Sequence, residues 1–300
     1  MKRSIAEPVL GSPRLGGLCI VLLLLCVGAA SDAQPPAGPA FSLSGSLVVA
    51  AITPHGIVVA SDSRGTIRDA WSGRPIAFYD AVQKVFPIQN AVIAYTGSDT
   101  LGNRFLGPVI EAFRDSPHSR QPVPELLQAL ILFVDQNYPP MVAQSMRAET
   151  LIAAGYDQGK PYLCYRMGEF DGKFYCQSSG FIPALAPLQA QDLENASPEA
   201  AADLVRSTIA TFPRSWLSFR HQPGVASKIG GPTRVRLLFP DGSRWYGAPP
   251  ASHEWLFLSD WVAAYRAGKV HFTLYPGVTQ KDVASLLERG ATWSRNAGEF

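Results

Sequence analysis

Histidine and cysteine, the side chains that most often perform chemistry in proteins, are few and scattered in this chain. The five histidines are isolated, and none has a second histidine at metal-ligand spacing: they are His55, His118, His221, His253 and His271. The G-x-S-x-G, H-E-x-x-H, Walker and G-x-G-x-x-G motifs are absent. The sequence therefore predicts no metal and no cofactor. A Ser-His-Asp triad assembled from distant positions stays open, since triads are recognised by geometry rather than by order.

The N-terminal residues have the pattern of a secretory signal. Lys2 and Arg3 precede an uninterrupted apolar run over residues 18–27, and Ser31 and Ala33 follow at the spacing of a signal-peptidase site. The run is shorter than the roughly 20 residues that a membrane-spanning helix needs. We therefore expect residues 1–33 to be a removed signal peptide; cleavage after Ala30 is the alternative that the same pattern allows. The mature protein would then be periplasmic or extracellular, with no membrane attachment.

The composition of the chain indicates a globular protein and gives no sign of a nucleic-acid-binding one. Hydrophobic residues make up 47% of the chain and charged residues 17%, which supplies a globular core and excludes global disorder. The formal net charge is only +2, and lysine and arginine are scattered rather than gathered in a basic stripe. A nucleic-acid partner is therefore not expected.

Cys164 and Cys176 are the two cysteines that follow the signal segment. They flank a turn-rich stretch at 168–172, and the residues on both sides alternate as in a β-hairpin. A disulfide between them is one interpretation in an oxidising compartment. Two small buried hydrophobic side chains are an equally favoured interpretation, and a catalytic cysteine is the least favoured.

Hydrophobic periodicity predicts the order of elements. Residues 46–53 with 56–61, and 82–88 with 91–95, are expected to form two hairpins, and the polar stretch 64–80 between them a surface loop. Helices are expected over 101–113, 124–134, 197–212 and 279–289. Further strands are expected over 150–156, 161–167, 173–179 and 234–239. This order favours an α+β fold in which two antiparallel sheets lie between helix layers.

The stretch GSLVVAAITPHGIVVASDSRGT at 45–66 resembles the start of mature proteasome β-type subunits. Those subunits begin with a Gly–Thr cleavage junction, two strands and an Asp-Ser-Arg motif. VQKVFPI at 82–88 resembles the lysine strand of the family, and IAYTGS at 93–98 resembles its glycine loop. Weaker matches follow in the same order at 154–157, 177–181 and 229–232. The chain is thus similar to the N-terminal-nucleophile (Ntn) hydrolases, which implies a four-layer αββα sandwich.

The resemblance also implies roles for particular residues. Ser46 would be the nucleophile, and its own α-amine, freed by cleavage after Gly45, would be the general base. Asp62 and Lys84 would form the ion pair that lowers the pKa of that amine. Gly97 would donate a backbone N–H to the oxyanion. Ser179 would be a supporting serine.

The same resemblance divides the chain into segments. Residues 34–45 are expected to be a linker or propeptide, 46–245 the proteasome-like domain, and 246–300 a C-terminal extension packed on it. The loop between the aspartate and the lysine is longer than in the family. The second aspartate of the family falls near Ala226 and Ser227 here, and the C-terminal residues have no counterpart.

The expected function is that of an exported Ntn hydrolase of the threonine/serine type that cleaves amide or peptide bonds. An exported chain has no ATP-driven unfoldase, so the substrate would be a peptide or a small amide. The alternative is a catalytically inactive protein of the same fold that acts as a binding or structural module, and a homo-oligomer is left open. Replacing Lys84 by methionine is expected to abolish hydrolysis and leave the fold intact.

Overall fold

The protein is described by a computed structural model that covers residues 41–45, 47–168, 170–182, 193, 195–220, 229–250 and 255–296. The expected signal peptide at 1–33, residues 34–40 of the expected linker, and Ser46 lie outside the described residues. Within the described parts the fold is mixed α+β, and its paired strands are antiparallel.

The strands and helices follow one another along the chain in mixed order. The strands are β1 Phe41–Ser44, β2 Val48–Thr53, β3 Gly56–Ser61, β4 Gly65–Asp69, β5 Pro75–Tyr79, β6 Val85–Ile88, β7 Ala91–Thr96, β8 Thr100–Leu101, β9 Arg104–Phe105, β10 Thr150–Asp157, β11 Lys160–Met167, β12 Phe174–Gln177, β13 Phe181–Ile182, β14 Arg234–Phe239, β15 Gly242–Trp245 and β16 Thr273–Leu274. The helices are α1 Leu106–Arg114, α2 Val123–Asn137, α3 Pro140–Ala148, α4 Pro198–Arg220, α5 Leu258–Arg266 and α6 Gln280–Asn296. In the described parts of the chain, none of these helices has the length and apolar character required to cross a bilayer.

Two five-stranded sheets pack face to face at the centre of the molecule. Their strand orders are β12-β11-β10-β7-β6 and β13-β2-β3-β14-β15. Valine, alanine, isoleucine and leucine side chains from both sheets form one shared core between them. Helices α1, α2 and α3 cover the outer face of the first sheet, and α4 covers the outer face of the second. Strands β2 and β3 are buried along most of their length because both of their faces are covered.

A third, four-stranded sheet with the order β1-β4-β5-β16 packs against α5 and α6. The prediction of a surface loop over 64–80 is wrong, because β4 and β5 form a hairpin there. Ile67 and Ala77 point into an apolar core supplied by α5 and α6. These partners lie far along the chain, so local polarity could not reveal the hairpin.

Other element predictions hold with shifted ends. The hairpins β2–β3 and β6–β7 are confirmed. The helix expected from residue 101 begins at Leu106, because the residues before it form the short strands β8 and β9. Helix α3 has no counterpart among the predicted helices. Pro140 starts it at a position where the missing N–H of proline costs nothing.

Cys164 and Cys176 lie directly opposite each other on β11 and β12 and form a disulfide. The hairpin brings their Cα atoms to 4.1 Å. The structure therefore agrees with the disulfide interpretation of the sequence. Neither Cys164 nor Cys176 keeps a free thiol that could act in catalysis.

Candidate active site

Asp62 and Lys84 form an ion pair whose side chains are completely buried. Asp62 follows β3, and Lys84 precedes β6, so the two side chains meet where the central sheets end. The ammonium Nζ lies 3.1 Å from Asp62 Oδ1 and donates two further hydrogen bonds, to the carbonyl oxygens of Gly45 at 2.6 Å and Arg64 at 2.5 Å. Three acceptors therefore match the three N–H donors of the lysine.

The carboxylate of Asp62 accepts hydrogen bonds from three backbone N–H groups, one of them far along the chain. Leu47 N–H donates to Oδ1 at 2.8 Å, and Arg64 N–H and Gly230 N–H donate to Oδ2 at 3.3 and 3.1 Å. Burial raises the pKa of this carboxyl, and the Lys84 ammonium and the donors from Leu47 and Gly230 act in the opposite direction. Gly230, which belongs to the weaker sequence match at 229–232, thus contacts Asp62 directly.

The residues on both sides of Ser46 are anchored to this ion pair, although Ser46 itself is not among the described residues. Ahead of it, the Gly45 carbonyl accepts from Lys84. After it, the Leu47 N–H donates to Asp62. Gly45 has a φ of 115°, which favours glycine over residues that carry a Cβ. The ion pair therefore holds the carbonyl group of the Gly45–Ser46 peptide bond, which is the bond that the sequence predicts to be cleaved.

Gly97 lies beside Gly45, whose N–H donates to the Gly97 carbonyl at 3.2 Å. Its φ is 126°, and a Cβ at this position would lie 2.3 Å from Glu149 Oε2. The same Oε2 accepts a hydrogen bond from Ser98 N–H at 3.0 Å. Only glycine fits here. The buried Glu149 was missed by the sequence analysis, and its one local signal is an acid placed directly before an apolar strand.

Ser179 is not brought to the ion pair. It is exposed, and the next residue, Gly180, accepts a hydrogen bond from Ile52 N–H. Ile52 lies near the far end of β2, about 17 Å along the strand from Leu47 at ~3.3 Å per residue. The antiparallel register of β13 on β2 sets this separation. Ser179 therefore has no place in the candidate site.

A second buried acid, Asp99, lies close to the ion pair and was also missed by the sequence analysis. Its Oδ1 accepts a hydrogen bond from the Tyr95 hydroxyl at 3.0 Å, while its Oδ2 is buried without a hydrogen-bond partner. A Cβ built on Gly65 would lie 2.9 Å from that oxygen. Burial, with a smaller contribution from the nearby Asp62, raises the pKa of Asp99 to about 7, while Lys84 and the Tyr95 hydrogen bond act in the opposite direction.

This raised pKa predicts that Asp99 makes the folded protein less stable as pH rises. Below about pH 4 the carboxyl is protonated in both states; between about 4 and 7 only the unfolded chain releases the proton. The free energy of unfolding therefore falls by roughly 1 kcal/mol for each pH unit in that window. Asp99→Asn keeps the acceptor for Tyr95 and should remove this slope. Denaturant titrations of both proteins from pH 4 to pH 8 provide the measurement, and parallel curves would contradict the assignment.

The position of the missing second aspartate, Ala226 and Ser227, lies outside the described residues. The site that is described consists of one buried ion pair, the Gly45 carbonyl it holds, Gly97 and the carboxylates of Asp99 and Glu149.

A comparison with protein-family models finds none that matches this chain, and a comparison with curated proteins finds no significant match.

Proposed function

We propose that the chain is an exported Ntn hydrolase with an αββα fold, and that Ser46 becomes its N-terminal nucleophile by self-cleavage after Gly45. The packing of two antiparallel sheets between helices agrees with that fold. The observation that carries the functional proposal is the hydrogen bond from Lys84 Nζ to the Gly45 carbonyl oxygen.

That hydrogen bond has a direct chemical consequence for self-cleavage. Attack of the Ser46 hydroxyl on the Gly45 carbonyl carbon places negative charge on the oxygen that Lys84 already contacts. An ammonium at this oxygen stabilises the developing charge, and a single donor of this kind commonly contributes ~3 kcal/mol. As the C–N bond breaks, the hydroxyl proton passes to the Ser46 nitrogen, so that the Gly45–Ser46 amide becomes an ester and the Ser46 amine is released. Water then hydrolyses the ester, which frees the Ser46 hydroxyl and leaves a carboxylate on Gly45.

The released amine would then serve as the base for later turnovers. The Lys84 ammonium would lower its pKa through charge repulsion, so that more of the amine is unprotonated near neutral pH. Asp62 holds Lys84 in place and also binds the backbone of Leu47. This arrangement supports hydrolysis of a peptide or small amide. In a binding or structural protein of the same fold, the buried ammonium would serve only to hold Asp62 and the backbone around it.

The test of the proposal is the N-terminus of the native protein. Intact-mass measurement and N-terminal sequencing of exported wild-type protein are expected to find Ser46 as the first residue of the long chain. A uniform start at Ser31 or Gln34 in folded protein would contradict the Ntn mechanism. In that case the inactive protein of the same fold would become the better description.

A further inference from the structure

We propose that the segment ending at Gly45 stays bound after cleavage as strand β1, so that the processed protein is a noncovalent assembly of this segment with residues 46–300. The inference rests on the proposed function, because it concerns the fate of the cleavage product. It gives the C-terminal extension, which has no counterpart in the sequence resemblance, the role of holding the cleaved segment.

Strand β1 is hydrogen-bonded along both of its edges. On one side it pairs antiparallel with β4 in the register Phe41 to Asp69 and Ser44 to Thr66. On the other side, Asp99 N–H donates to the Leu43 carbonyl at 2.8 Å, and Gly45 N–H donates to the Gly97 carbonyl at 3.2 Å. A strand with partners on both edges is an internal strand of the fold rather than a loose tail.

The side chains of β1 are also part of a core. Phe41 and Leu43 are each only 1% exposed, and both belong to the apolar cluster formed by the third sheet with α5 and α6. The Phe41 ring lies 6.2 Å from that of Trp261. It also packs against α6 at Gly290, where a Cβ would lie 2.1 Å from the ring. All of these partners follow the cleavage point, so cutting the chain after Gly45 leaves every contact intact.

Retention of the segment has a consequence for the site. The acyl shift transfers the Gly45 carbon from the Ser46 nitrogen to the Ser46 side-chain oxygen. Water then breaks this ester bond, adding its hydroxyl to the Gly45 carbon and a proton to the Ser46 oxygen. The Gly45 carbonyl oxygen, already 2.6 Å from Lys84 Nζ, becomes part of a carboxylate beside that ammonium. The cleaved segment then blocks its own site as a bound product. Hydrolysis of an added peptide is expected to begin only after this segment is displaced.

The experiment compares the mass of the wild-type protein under denaturing and native conditions after gel filtration. Denaturing conditions are expected to give two species, a short peptide ending at Gly45 and a chain beginning at Ser46. Native conditions are expected to give their one-to-one complex. Leu43→Ala removes a buried side chain without touching the junction, and should lose the peptide at least tenfold faster on dilution. Ser42→Ala, at a half-buried position on the same strand, is the matched control and should retain it.

The outcomes separate this inference from the proposed function. If native wild-type protein is cleaved but its long chain no longer carries the peptide, retention is overturned and the Ntn mechanism still stands. A single uncleaved chain would overturn both. Hydrogen exchange in Ser46→Ala gives an independent measurement. Slow exchange of the Gly45 amide, which donates to the Gly97 carbonyl, supports the held strand, and exchange at the rate of an unfolded peptide contradicts it. Circular dichroism of Leu43→Ala checks that the variant is folded.

Discussion

Lys84→Met is expected to slow cleavage after Gly45 strongly, so that purified protein still carries the residues ahead of Ser46. Methionine retains the length of the side chain but provides no positive charge at the Gly45 carbonyl oxygen, which Lys84 Nζ contacts at 2.6 Å. Loss of a charged donor to a developing oxyanion commonly slows a reaction 10²–10³-fold. The measurement is the rate at which the mass of the purified precursor changes to that of the cleaved chain.

The structure modifies the expectation that this variant leaves the fold intact. The Asp62 side chain is completely buried, and Lys84 is its charged partner. Removing one member of a buried pair commonly costs about 3–5 kcal/mol, because the other charge is left uncompensated. We therefore expect Lys84→Met to unfold at a lower denaturant concentration, and Lys84→Met with Asp62→Asn to recover part of that stability without recovering cleavage.

A lysine on the surface provides the control for the same substitution. Lys173 is exposed in the turn before β12, so Lys173→Met should change neither cleavage nor stability measurably. Rapid cleavage in folded Lys84→Met protein would remove the lysine from the site. Recovery of cleavage in the double variant would show that loss of folding, and not loss of the ammonium, had caused the defect.

The central hairpins and the ion pair could be predicted because their signals are local. Strands β2, β3, β6 and β7 consist of short apolar runs separated by turns, and this pattern appears in the sequence without knowledge of any partner. Asp62 and Lys84 were identified from their motifs in the resemblance. The structure then brings them within 3.1 Å of each other and places Gly45 on the lysine.

The parts that sequence analysis missed depend on contacts between distant segments. Strand β1 and the β4–β5 hairpin are ordered by α5 and α6, which lie at the other end of the chain. Asp99 and Glu149 are single acids whose burial follows from tertiary packing alone. The error at Ser179 has the same origin, because the register of β13 on β2 decides how far that residue lies from Leu47.

Ser46→Ala is expected to abolish self-cleavage, with a loss of rate of at least about 10⁴-fold, because alanine has no hydroxyl to attack the Gly45 carbonyl. The purified variant should keep a single mass that includes the residues ahead of Ser46. Lys84 and Asp62 are unchanged in this variant, so its stability should stay close to that of the wild type.

Two further variants decide whether the hydroxyl of Ser46 itself acts. Ser46→Thr restores a hydroxyl at the same position and should restore cleavage. Ser44→Ala, at a half-buried position of β1 two residues earlier, should leave cleavage unchanged. A contaminating protease that cut an accessible junction would cut Ser46→Ala as well. Cleavage of purified Ser46→Ala at the wild-type rate would therefore contradict self-processing. Cleavage in Ser46→Thr but not in Ser46→Ala is the result that the buried ammonium at Gly45 leads us to expect.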